Sequence, residues 1–370
     1  MRIGIHAKAL SEKNPTGVSV YARNLLARML VLPEAKAHEW TLYTDGEIAK
    51  NTKYQMPALS HVEGPNTKYR TLHTPFLWTQ VRLAWELYRH MPDVFFTPQH
   101  VLPLSAPKNS VVTIHGLEYE RYPQYYSWHT YAYLRGVTKD AVKRATRIIA
   151  VSEATKRDLM DLYKVLEEKI FVIHHGAPDL QNHRSQITNY KQNNEPYFLY
   201  LGRIELKKNV DGIIKAFAIV KEKYKLPHTL VLAGGEGYGA ENIKHDAWSM
   251  KHKNDICFLG YVSEQEKWAL LKGATAFMFP SWCEGFGLPV LEAQSAGVPV
   301  ITSNISAMPE VGGKAALYID PADPESIADA MDRVAKDRKL RNDLIEAGYE
   351  NIKRFSWDRC AAETLAVLIK

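Results

Sequence analysis

The chain has 370 residues, of which 46% are hydrophobic and 24% charged, and these are ordinary values for a globular protein. That length predicts about two or three domains, with a core large enough to need no disulfide or metal staple. The 47 lysines and arginines exceed the 41 acidic residues by 6. This mild excess permits an anionic partner but does not choose among nucleic acid, a membrane and a phosphorylated substrate. The three cysteines (Cys257, Cys283 and Cys360) are too scattered for a disulfide framework or a zinc site, so we expect buried thiols.

Neither a membrane-spanning helix nor a targeting segment is expected. No window of about 18 residues is apolar and free of charge. The N-terminus reaches polar residues too soon for a secretory leader and predicts a first strand instead. We therefore expect a cytoplasmic location.

In the first half of the chain, short apolar runs rich in β-branched residues alternate with stretches of helical spacing. Val18, Tyr21 and Leu25, for example, fall on one face of a predicted helix over 18–32. Continuous apolar strands separated by helices favour a parallel sheet covered on both faces. The predicted strands are 2–7, 39–44, 93–97, 110–115, 147–151 and 170–174.

Residues 176–195 are polar, rich in amide side chains and without periodicity, which predicts a linker. After it the alternation resumes, so the predicted fold class is α/β with two doubly wound, Rossmann-like domains and a cleft between them. The domains are expected at 1–175 and 196–353, with a last helix in 354–370 packing back on the first. In the second half, strands are predicted at 197–201, 229–233, 256–259, 276–279 and 299–302, and helices at 210–224, 264–272, 288–296 and from 324 onward.

Open parallel sheets bind ligands at the carboxyl ends of their strands, and residues 202–209 form the first loop at such an end. Gly202 permits a tight exit from the strand, and Arg203 is a forked, permanently charged donor suited to phosphate oxygens. Lys208 adds a second cation at a helix start, where backbone N–H groups already favour anions. The loop predicts a diphosphate clamp, with a solvated basic turn as the alternative.

The second loop, residues 281–292, again joins a strand to a helix. Glu284 lies in the turn and Glu292 about one turn into the helix, while Gly285 and Gly287 let backbone amides approach a ligand. Two such carboxylates can accept hydrogen bonds from sugar or ribose hydroxyls. The alternative is a helix-entry carboxylate and a surface charge.

Three weaker signals lie elsewhere in the chain. The glycine-rich turn 234–238, with Gly235, suits a close approach to a nucleotide but lacks the full dinucleotide and P-loop spacings. Gly17 begins the first predicted helix, where a phosphate can bind. His115 ends an apolar strand at the expected cleft, although a lone histidine is more often structural.

Taken together, these residues resemble the retaining glycosyltransferases of family four, which have the GT-B fold. The likeness spans almost the whole chain, and the segment from Glu284 to Glu292 is its most specific part. Segments at 95–98 and 111–115 are similar to bacterial mannosyltransferases that build surface polysaccharides. The resemblance is carried by Gly202-Arg203, Lys208-Asn209, Glu284-Gly285-Phe286-Gly287 and Glu292, with support from Thr113, His115, Val151-Ser152-Glu153, Pro309-Glu310-Val311 and Phe355-Ser356-Trp357.

The resemblance implies an N-terminal acceptor-binding domain and a C-terminal nucleotide-sugar-binding domain. It implies that Arg203 and Lys208 hold the donor diphosphate, that Glu284 holds the transferred sugar and that His115 lies beside it. These four are the catalytic candidates, although Gly116 follows His115 where family members often carry Asp. The donor-binding candidates are Gly17, Gly202, Gly235, Val262, Phe286, Gly287, Leu288 and Glu292, the last for the ribose hydroxyls.

The expected reaction is a retaining transfer of a hexose to a saccharide or a lipid-linked acceptor, with mannose from GDP-mannose as the first choice. No Asp-x-Asp pair occurs, so we expect no metal and no cofactor, and cations and helix N-termini would neutralise the leaving diphosphate. A UDP-sugar donor is the nearest alternative. A nucleotide-sugar epimerase, a glycoside hydrolase and a non-catalytic nucleotide-sugar-binding protein are others, whereas no basic-aromatic motif supports a nucleic-acid binder.

Two stretches predict either a core aromatic cluster or a peripheral contact with an anionic membrane. Lys139, Lys143 and Arg147 recur every four residues, as on one face of a helix, just after the first stretch. The sequence leaves both interpretations open. The aromatic residues of the first stretch are Tyr119, Tyr122, Tyr125, Tyr126, Trp128, Tyr131 and Tyr133; the second holds Phe76, Leu77, Trp78, Val81 and Trp85 with Arg82 and Arg89.

Overall fold

The computed structural model describes residues 1–12, 16–48, 66–74, 77–178 and 195–370, which fall into two compact units. Of the expected linker 176–195, residues 179–194 lie outside the described part. The first unit comprises Met1–Glu120, Trp128–Gly176 and Ser356–Lys370, and the second comprises Arg121–Ser127 and Ala177–Phe355.

The described residues form thirteen strands and thirteen α-helices. The strands are β1 (Arg2–His6), β2 (Glu39–Thr44), β3 (Thr67–Thr71), β4 (Val94–Thr97), β5 (Ser110–Ile114), β6 (Arg147–Ala150), β7 (Ile170–Val172), β8 (Tyr197–Leu201), β9 (Thr229–Ala233), β10 (Ile256–Gly260), β11 (Ala276–Phe279), β12 (Val300–Ser303) and β13 (Ala316–Ile319). The helices are α1 (Gly17–Met29), α2 (Ala84–Arg89), α3 (Glu118–Arg121), α4 (Trp128–Arg144), α5 (Glu153–Tyr163), α6 (Val210–Ile219), α7 (Ala240–Ser249), α8 (Glu264–Gly273), α9 (Leu288–Ser295), α10 (Met308–Gly312), α11 (Pro324–Lys336), α12 (Arg338–Ile352) and α13 (Trp357–Ile369). A π-helical turn, Trp78–Leu83, leads into α2.

Each unit is built on one sheet whose neighbouring strands are all parallel. The first sheet has the order β3-β2-β1-β4-β5-β6-β7 and the second β10-β9-β8-β11-β12-β13. Chain order reverses between β1 and β4 in the first sheet and between β8 and β11 in the second, so both sheets are doubly wound. The predicted α/β class with two doubly wound domains is therefore confirmed.

Burial of apolar strands between helices stabilises both sheets. All five residues of β8 and all four of β11 are buried, which is typical of parallel strands covered on both faces. Side-chain caps fix where several helices begin: Ser263 and Glu266 form a capping box at α8. Caps of this kind are worth about 1 kcal/mol each. The other side-chain caps include Ser152 before α5, Asp323 before α11, Asp337 before α12 and Ser356 before α13.

The last helix belongs to the first unit. In α13 the ring of Trp357 lies 5.7 Å from that of His175, with the two planes 17° apart. Arg28 of α1 pairs with Asp358 at 3.3 Å, and the Arg147 guanidinium donates to the carbonyl of Val367 at 2.7 Å. The division falls between Phe355 and Ser356, two residues after the boundary that the sequence suggested.

Several elements differ from the sequence-based expectation. Strand β3 was missed because its residues are half-buried or exposed and form no apolar run. Strand β13 and helices α7 and α10 were not predicted either. Residues 121–127 join the second unit, although 1–175 were predicted to form one domain.

Candidate functional site

The two loops with the strongest sequence signals leave β8 and β11, the strands between which the second sheet reverses its order. A reversal of strand order opens a crevice at the carboxyl edge of an open sheet, where ligands bind. The topology therefore explains why residues about 80 positions apart in the chain meet at one edge.

The loop after β8 is shaped by its backbone. Gly202 has a φ of +154°, and the Tyr200 hydroxyl donates to the carbonyl of Arg203 at 2.7 Å. The Arg203 side chain is exposed, and its guanidinium makes a long 3.4 Å hydrogen bond to the carbonyl of Glu236. The guanidinium can therefore turn toward an arriving anion at little cost.

The glycine-rich turn after β9 is hydrogen-bonded to this loop. The N–H of Ile204 donates to the carbonyl of Gly235 at 2.9 Å, and that of Gly237 donates back to Ile204 at 2.9 Å. A Cβ on Gly235 would meet no described atom within 4 Å, so the turn leaves open space beside that residue. Val262, another donor candidate of the second unit, is half-buried in the turn between β10 and α8.

The central contact of the site joins the two loops. The Lys208 ammonium forms an ion pair with the carboxylate of Glu284, and it also lies 5.2 Å from the centroid of the Phe279 ring. The two side chains are only 17% and 11% exposed. Because an ammonium has three N–H donors, Lys208 can hold Glu284 with one and still offer others to a phosphate oxygen.

Ser306, which the sequence did not single out, fixes the backbone of Glu284. The N–H of Glu284 donates to the Ser306 hydroxyl at 3.1 Å, and that hydroxyl donates to the Glu284 carbonyl at 2.7 Å. Ser306 has a φ of +59°. No motif marks it, since its role depends on a contact between segments 22 residues apart.

Helix α9 begins directly after these residues. Gly287 is its N-cap residue, and Leu288 and Pro289 open the first turn. Phe286 is buried and packs edge-on against Phe355, with ring centroids 5.7 Å apart. Pro289 has no N–H group and the Val290 N–H donates to the Gly287 carbonyl at 3.0 Å, so at this end of α9 the Leu288 N–H and the helix dipole favour an anion or a hydroxyl oxygen.

Glu292 takes part in a half-buried triad. The Lys267 ammonium donates to Glu292 and to Glu264, each at 2.8 Å. Burial raises the pKa of Glu292, and so does Glu264, while Lys267 opposes them. Burial lowers the pKa of Lys267, but the two carboxylates outweigh it and raise that pKa overall. One carboxylate oxygen of Glu292 remains for a ligand hydroxyl.

His115 lies in the first unit, at the carboxyl end of β5. Its Nε2–H donates to the carbonyl of Pro98 at 2.9 Å, and its ring stacks in parallel on that of His100 at 5.7 Å. The backbone N–H of His115 donates to Nε2 of His100 at 2.8 Å. Tyr21 of α1 approaches edge-on at 4.9 Å. With its Nε2–H held by a backbone carbonyl, the neutral ring of His115 has a fixed orientation at this edge of the first sheet.

A second histidine lies at the same edge of the first sheet and was missed. His6, buried at the end of β1, accepts through Nδ1 from the side-chain amide N–H of Gln99 at 2.7 Å. Its ring packs edge-on against Trp78 at 5.0 Å. The signal available was its place at the end of the first predicted strand. Gly17, at the start of α1, is exposed, and a Cβ there would meet no described atom within 4 Å.

Burial lowers the pKa of His6 to about 4, that of His100 to about 3 and that of His115 to about 4. Between pH 6.5 and these values the unfolded chain binds protons that the folded chain does not, so stability falls as the pH falls below about 6.5. The free energy of unfolding should therefore drop between pH 7.5 and pH 5.5, and we expect this drop to be about 1.4 kcal/mol smaller in His100→Gln than in the wild type. The measurement is urea unfolding at both pH values, followed by a signal from the first unit. His245→Gln, at an exposed position, should leave the pH dependence unchanged; an equal effect in both variants contradicts the assignment.

The structure thus divides the predicted site residues between the units. Gly17 and His115 lie in the first unit. The second unit brings together Arg203, Lys208, Glu284, Gly202, Gly235, Val262, Phe286, Gly287, Leu288 and Glu292 at the loops that follow β8 to β11.

The two aromatic stretches are neither wholly core nor wholly surface. Tyr119 and Trp78 are buried, whereas Trp128 is 72% exposed and Trp85 56% exposed. Phe76 lies outside the described residues. Arg147 was predicted to share a helix face with Lys139 and Lys143, but α4 ends at Arg144 and Arg147 begins β6. Among the described residues, no helix is both long and apolar enough to cross a bilayer.

Comparisons with known proteins agree with this architecture. Residues 15–179 match the model of Glycosyltransferase Family 4, and residues 183–351 match that of Glycosyl transferases group 1. O-antigen chain mannosyltransferase B of Escherichia coli is 28% identical over 307 residues, which cover 80% of this chain and 78% of that protein. O-antigen chain mannosyltransferase RfbU of Salmonella typhimurium is 29% identical over 262 residues, 70% of each chain.

Solved structures share the fold at low sequence identity. WaaG, a glycosyltransferase involved in lipopolysaccharide biosynthesis, superposes with a TM-score of 0.73 at 14% identity, covering 100% of this chain and 99% of its own. Anabaena HepE in complex with UDP-glucose gives a TM-score of 0.75 at 17% identity, covering both chains completely. With both halves matched and both sheets in place, the chain belongs to glycosyltransferase family 4 and has the GT-B fold.

Proposed function

We propose that this glycosyltransferase transfers a hexose from a nucleoside diphosphate sugar to a saccharide or lipid-linked acceptor, with retention of anomeric configuration and without a metal. One observation carries the proposal: Arg203, Lys208, Glu284 and Glu292 all lie on the loops and helix starts at the reversal point of the second sheet. Two cations suit a diphosphate, and two carboxylates suit sugar and ribose hydroxyls.

Departure of the diphosphate requires stabilisation of negative charge. The bond from the anomeric carbon to the diphosphate oxygen breaks, and its electron pair stays on that oxygen. We expect Lys208, the Leu288 N–H at the start of α9 and Arg203, once its guanidinium has turned toward the diphosphate, to stabilise this charge. The acceptor oxygen attacks the face that the diphosphate leaves, and its proton passes to a phosphate oxygen. We expect Glu284 to accept hydrogen bonds from hydroxyls of the transferred sugar. His115, as a neutral imidazole, stays the first unit's candidate for a contact with that sugar.

For the donor, GDP-mannose is the first choice, because the relatives at 28% and 29% identity are named as mannosyltransferases of O-antigen chains. A UDP-sugar is the second, since HepE, of the same fold, binds UDP-glucose. A thermal-shift series with GDP, UDP, GDP-mannose and UDP-glucose separates the two, because a bound ligand raises the apparent stability.

The reaction itself is tested by release of nucleoside diphosphate and by the product. We expect release from GDP-mannose that continues in EDTA, and a product whose anomeric configuration, read by NMR, matches the donor. Inverted product contradicts retention, loss of activity in EDTA contradicts the metal-free step, and a changed sugar without any transfer indicates an epimerase. Binding of every donor without release indicates a non-catalytic protein.

The triad of Lys267, Glu264 and Glu292 predicts a pH-dependent variant. Lys267→Met leaves two neighbouring carboxylates without their cation, which raises the pKa of Glu292 further. The donor binds ionised Glu292, so donor binding to this variant weakens as the pH falls. We expect KM for the donor to rise about tenfold at the acid end of the range. We expect kcat to change little, because the ribose is remote from the bond that breaks. The measurement is KM between about pH 6 and 9. Lys267→Arg should restore the wild-type profile, and Lys272→Met, exposed on the same helix, should not change it.

We also propose a peripheral contact with an anionic membrane through the first unit. Helix α4 exposes Trp128 and Tyr133, and near its end Lys139 and Lys143 line a cavity of about 460 Å³ together with Lys164 and Lys169. A helix that exposes both aromatic rings and lysines is typical of interfacial binding.

Co-sedimentation with vesicles tests this contact. We expect binding to vesicles containing phosphatidylglycerol at low salt, weaker binding at high salt, and none to purely zwitterionic vesicles. Lys139→Glu combined with Lys143→Glu should abolish it, and Lys253→Glu combined with Lys251→Glu, on the second unit, should not. Equal binding by both double variants contradicts the surface assigned.

A further inference from the structure

Three aromatic rings of the second unit lie together beside the candidate site. The rings of Tyr122 and Tyr125 stack 5.9 Å apart with their planes 10° apart. The Trp282 ring lies 6.1 Å from the first and 6.3 Å from the second. We call Tyr122, Tyr125 and Trp282 the aromatic platform.

The platform is fastened to both loops of the candidate site. The Lys207 ammonium donates to the Tyr126 hydroxyl at 3.4 Å and lies 5.4 Å from the centroid of that ring. The N–H of Trp282 in turn donates to the carbonyl of Lys207 at 3.1 Å. The segment Arg121–Ser127 is therefore held against the loops that follow β8 and β11.

The exposure of these rings distinguishes them from a core cluster. Tyr122, Tyr125 and Trp282 are each half-buried, while Tyr119, a few residues earlier, is 2% exposed. A ring at a parallel-sheet core would be covered, as Tyr119 is. Rings that are stacked on one another and still partly open to solvent present faces to a ligand.

The position of the platform identifies which part of the reaction it serves. Trp282 precedes Glu284 by two residues and Lys207 precedes Lys208 by one, so the platform starts within about 7 Å of backbone from the proposed sugar carboxylate. Glu292, proposed for the ribose, lies further along, on α9. Along the chain, the platform is therefore closer to the proposed sugar carboxylate than to the proposed ribose carboxylate.

We propose that Tyr122, Tyr125 and Trp282 bind the acceptor, and that the acceptor presents a sugar ring to them; this rests on the proposed function. A pyranose has an apolar face of C–H groups and an edge of hydroxyls. Tyr and Trp match it with a flat apolar face and a polar tip, and they lose little conformational entropy on binding. The acceptor is accordingly a saccharide at its reacting end, whatever carries that saccharide.

Direct binding tests the platform independently of turnover. The probes are the methyl glycosides of mannose, glucose, galactose and N-acetylglucosamine, added to protein saturated with the nucleoside diphosphate and followed by saturation-transfer NMR. We expect at least one glycoside to bind wild-type protein, and Tyr122→Leu combined with Tyr125→Leu to weaken it about tenfold or more. The matched pair Tyr122→Phe and Tyr125→Phe keeps the ring faces and should retain most of the affinity.

Nucleoside diphosphate binding, read by thermal shift, serves as the control. It should be unchanged in the double leucine variant, because the platform lies off the clamp. Absence of glycoside binding, or equal binding by wild-type and leucine proteins, overturns the inference. A parallel loss of nucleotide binding places the rings in the donor site and also overturns it. If wild-type protein binds no nucleoside diphosphate at all, the proposed function fails instead.

Discussion

Lys208→Met is expected to lower kcat for nucleoside diphosphate release by about 10²–10³, the usual cost of removing one preorganised donor from a developing negative charge. The effect has two sources in this structure. The leaving diphosphate loses a cation, and Glu284, 11% exposed, loses its partner. An uncompensated buried carboxylate is costly, so this variant should also unfold at a lower temperature.

Two companion variants separate these sources. Lys208→Met combined with Glu284→Gln removes the unpaired charge, and we expect it to recover stability but not kcat. Lys215→Met removes an exposed lysine that pairs with Asp211 at 3.2 Å and should leave kcat as it is. Near wild-type kcat in the Lys208 variant would remove Lys208 from the clamp.

Most strands and the ends that carry chemistry are predictable from the sequence. Long apolar runs such as β8, β9 and β11 are recognisable in the sequence, because strands buried on both faces tolerate few polar residues. Where such a run stops at a glycine and a helical pattern follows, the carboxyl edge of the sheet is located as well. For this reason the position of Arg203, Lys208 and Glu284 on the loops after β8 and β11 is predictable.

Contacts between distant segments are the part that local patterns do not predict. The ion pair of Lys208 with Glu284 joins residues 76 positions apart, and Lys267 reaches Glu292 from another helix. Ser306 is an unremarkable serine in the sequence. Ser306 can hold the backbone of Glu284 only because the chain that follows β12 lies beside the turn after β11. Likewise, the aromatic residues near 121–127 were read as membrane-facing or core, whereas three of them pack on Trp282 and Lys207 in the second unit.

Strand β3 is a second feature that depends on contacts with another segment and that no local sequence pattern predicts. Its residues Thr67–Thr71 are half-buried or exposed at the edge of the first sheet, so no apolar run marks them. The strand exists because β2 offers it a row of backbone partners, with Trp40 opposite Thr67 and Thr44 opposite Thr71. Edge strands draw their order from the neighbouring strand more than from their own composition.

The largest effect on stability is expected at Gly234, and Gly235 provides a matched comparison. Gly234 has a φ of +145°, and a Cβ there would overlap the carbonyl oxygen of Gly202. That oxygen belongs to the backbone, so it cannot move aside without breaking the hydrogen bonds between the two loops. Strain and overlap together predict a loss of about 3 kcal/mol or more for Gly234→Ala. For a unit of this size, that corresponds to a fall in Tm of about 6–12 °C.

Gly235→Ala should behave differently, because its Cβ would enter open space. We expect Tm to stay within the error of the measurement, while KM for the donor rises because the methyl group stands where the nucleotide approaches. Differential scanning calorimetry and donor kinetics on the two variants give the comparison. A Tm loss shared equally by both would show that the turn is strained throughout, and unchanged donor KM in Gly235→Ala would move the nucleotide away from this turn. The two variants thus distinguish a glycine that the fold requires, Gly234, from a neighbouring glycine that donor binding requires, Gly235.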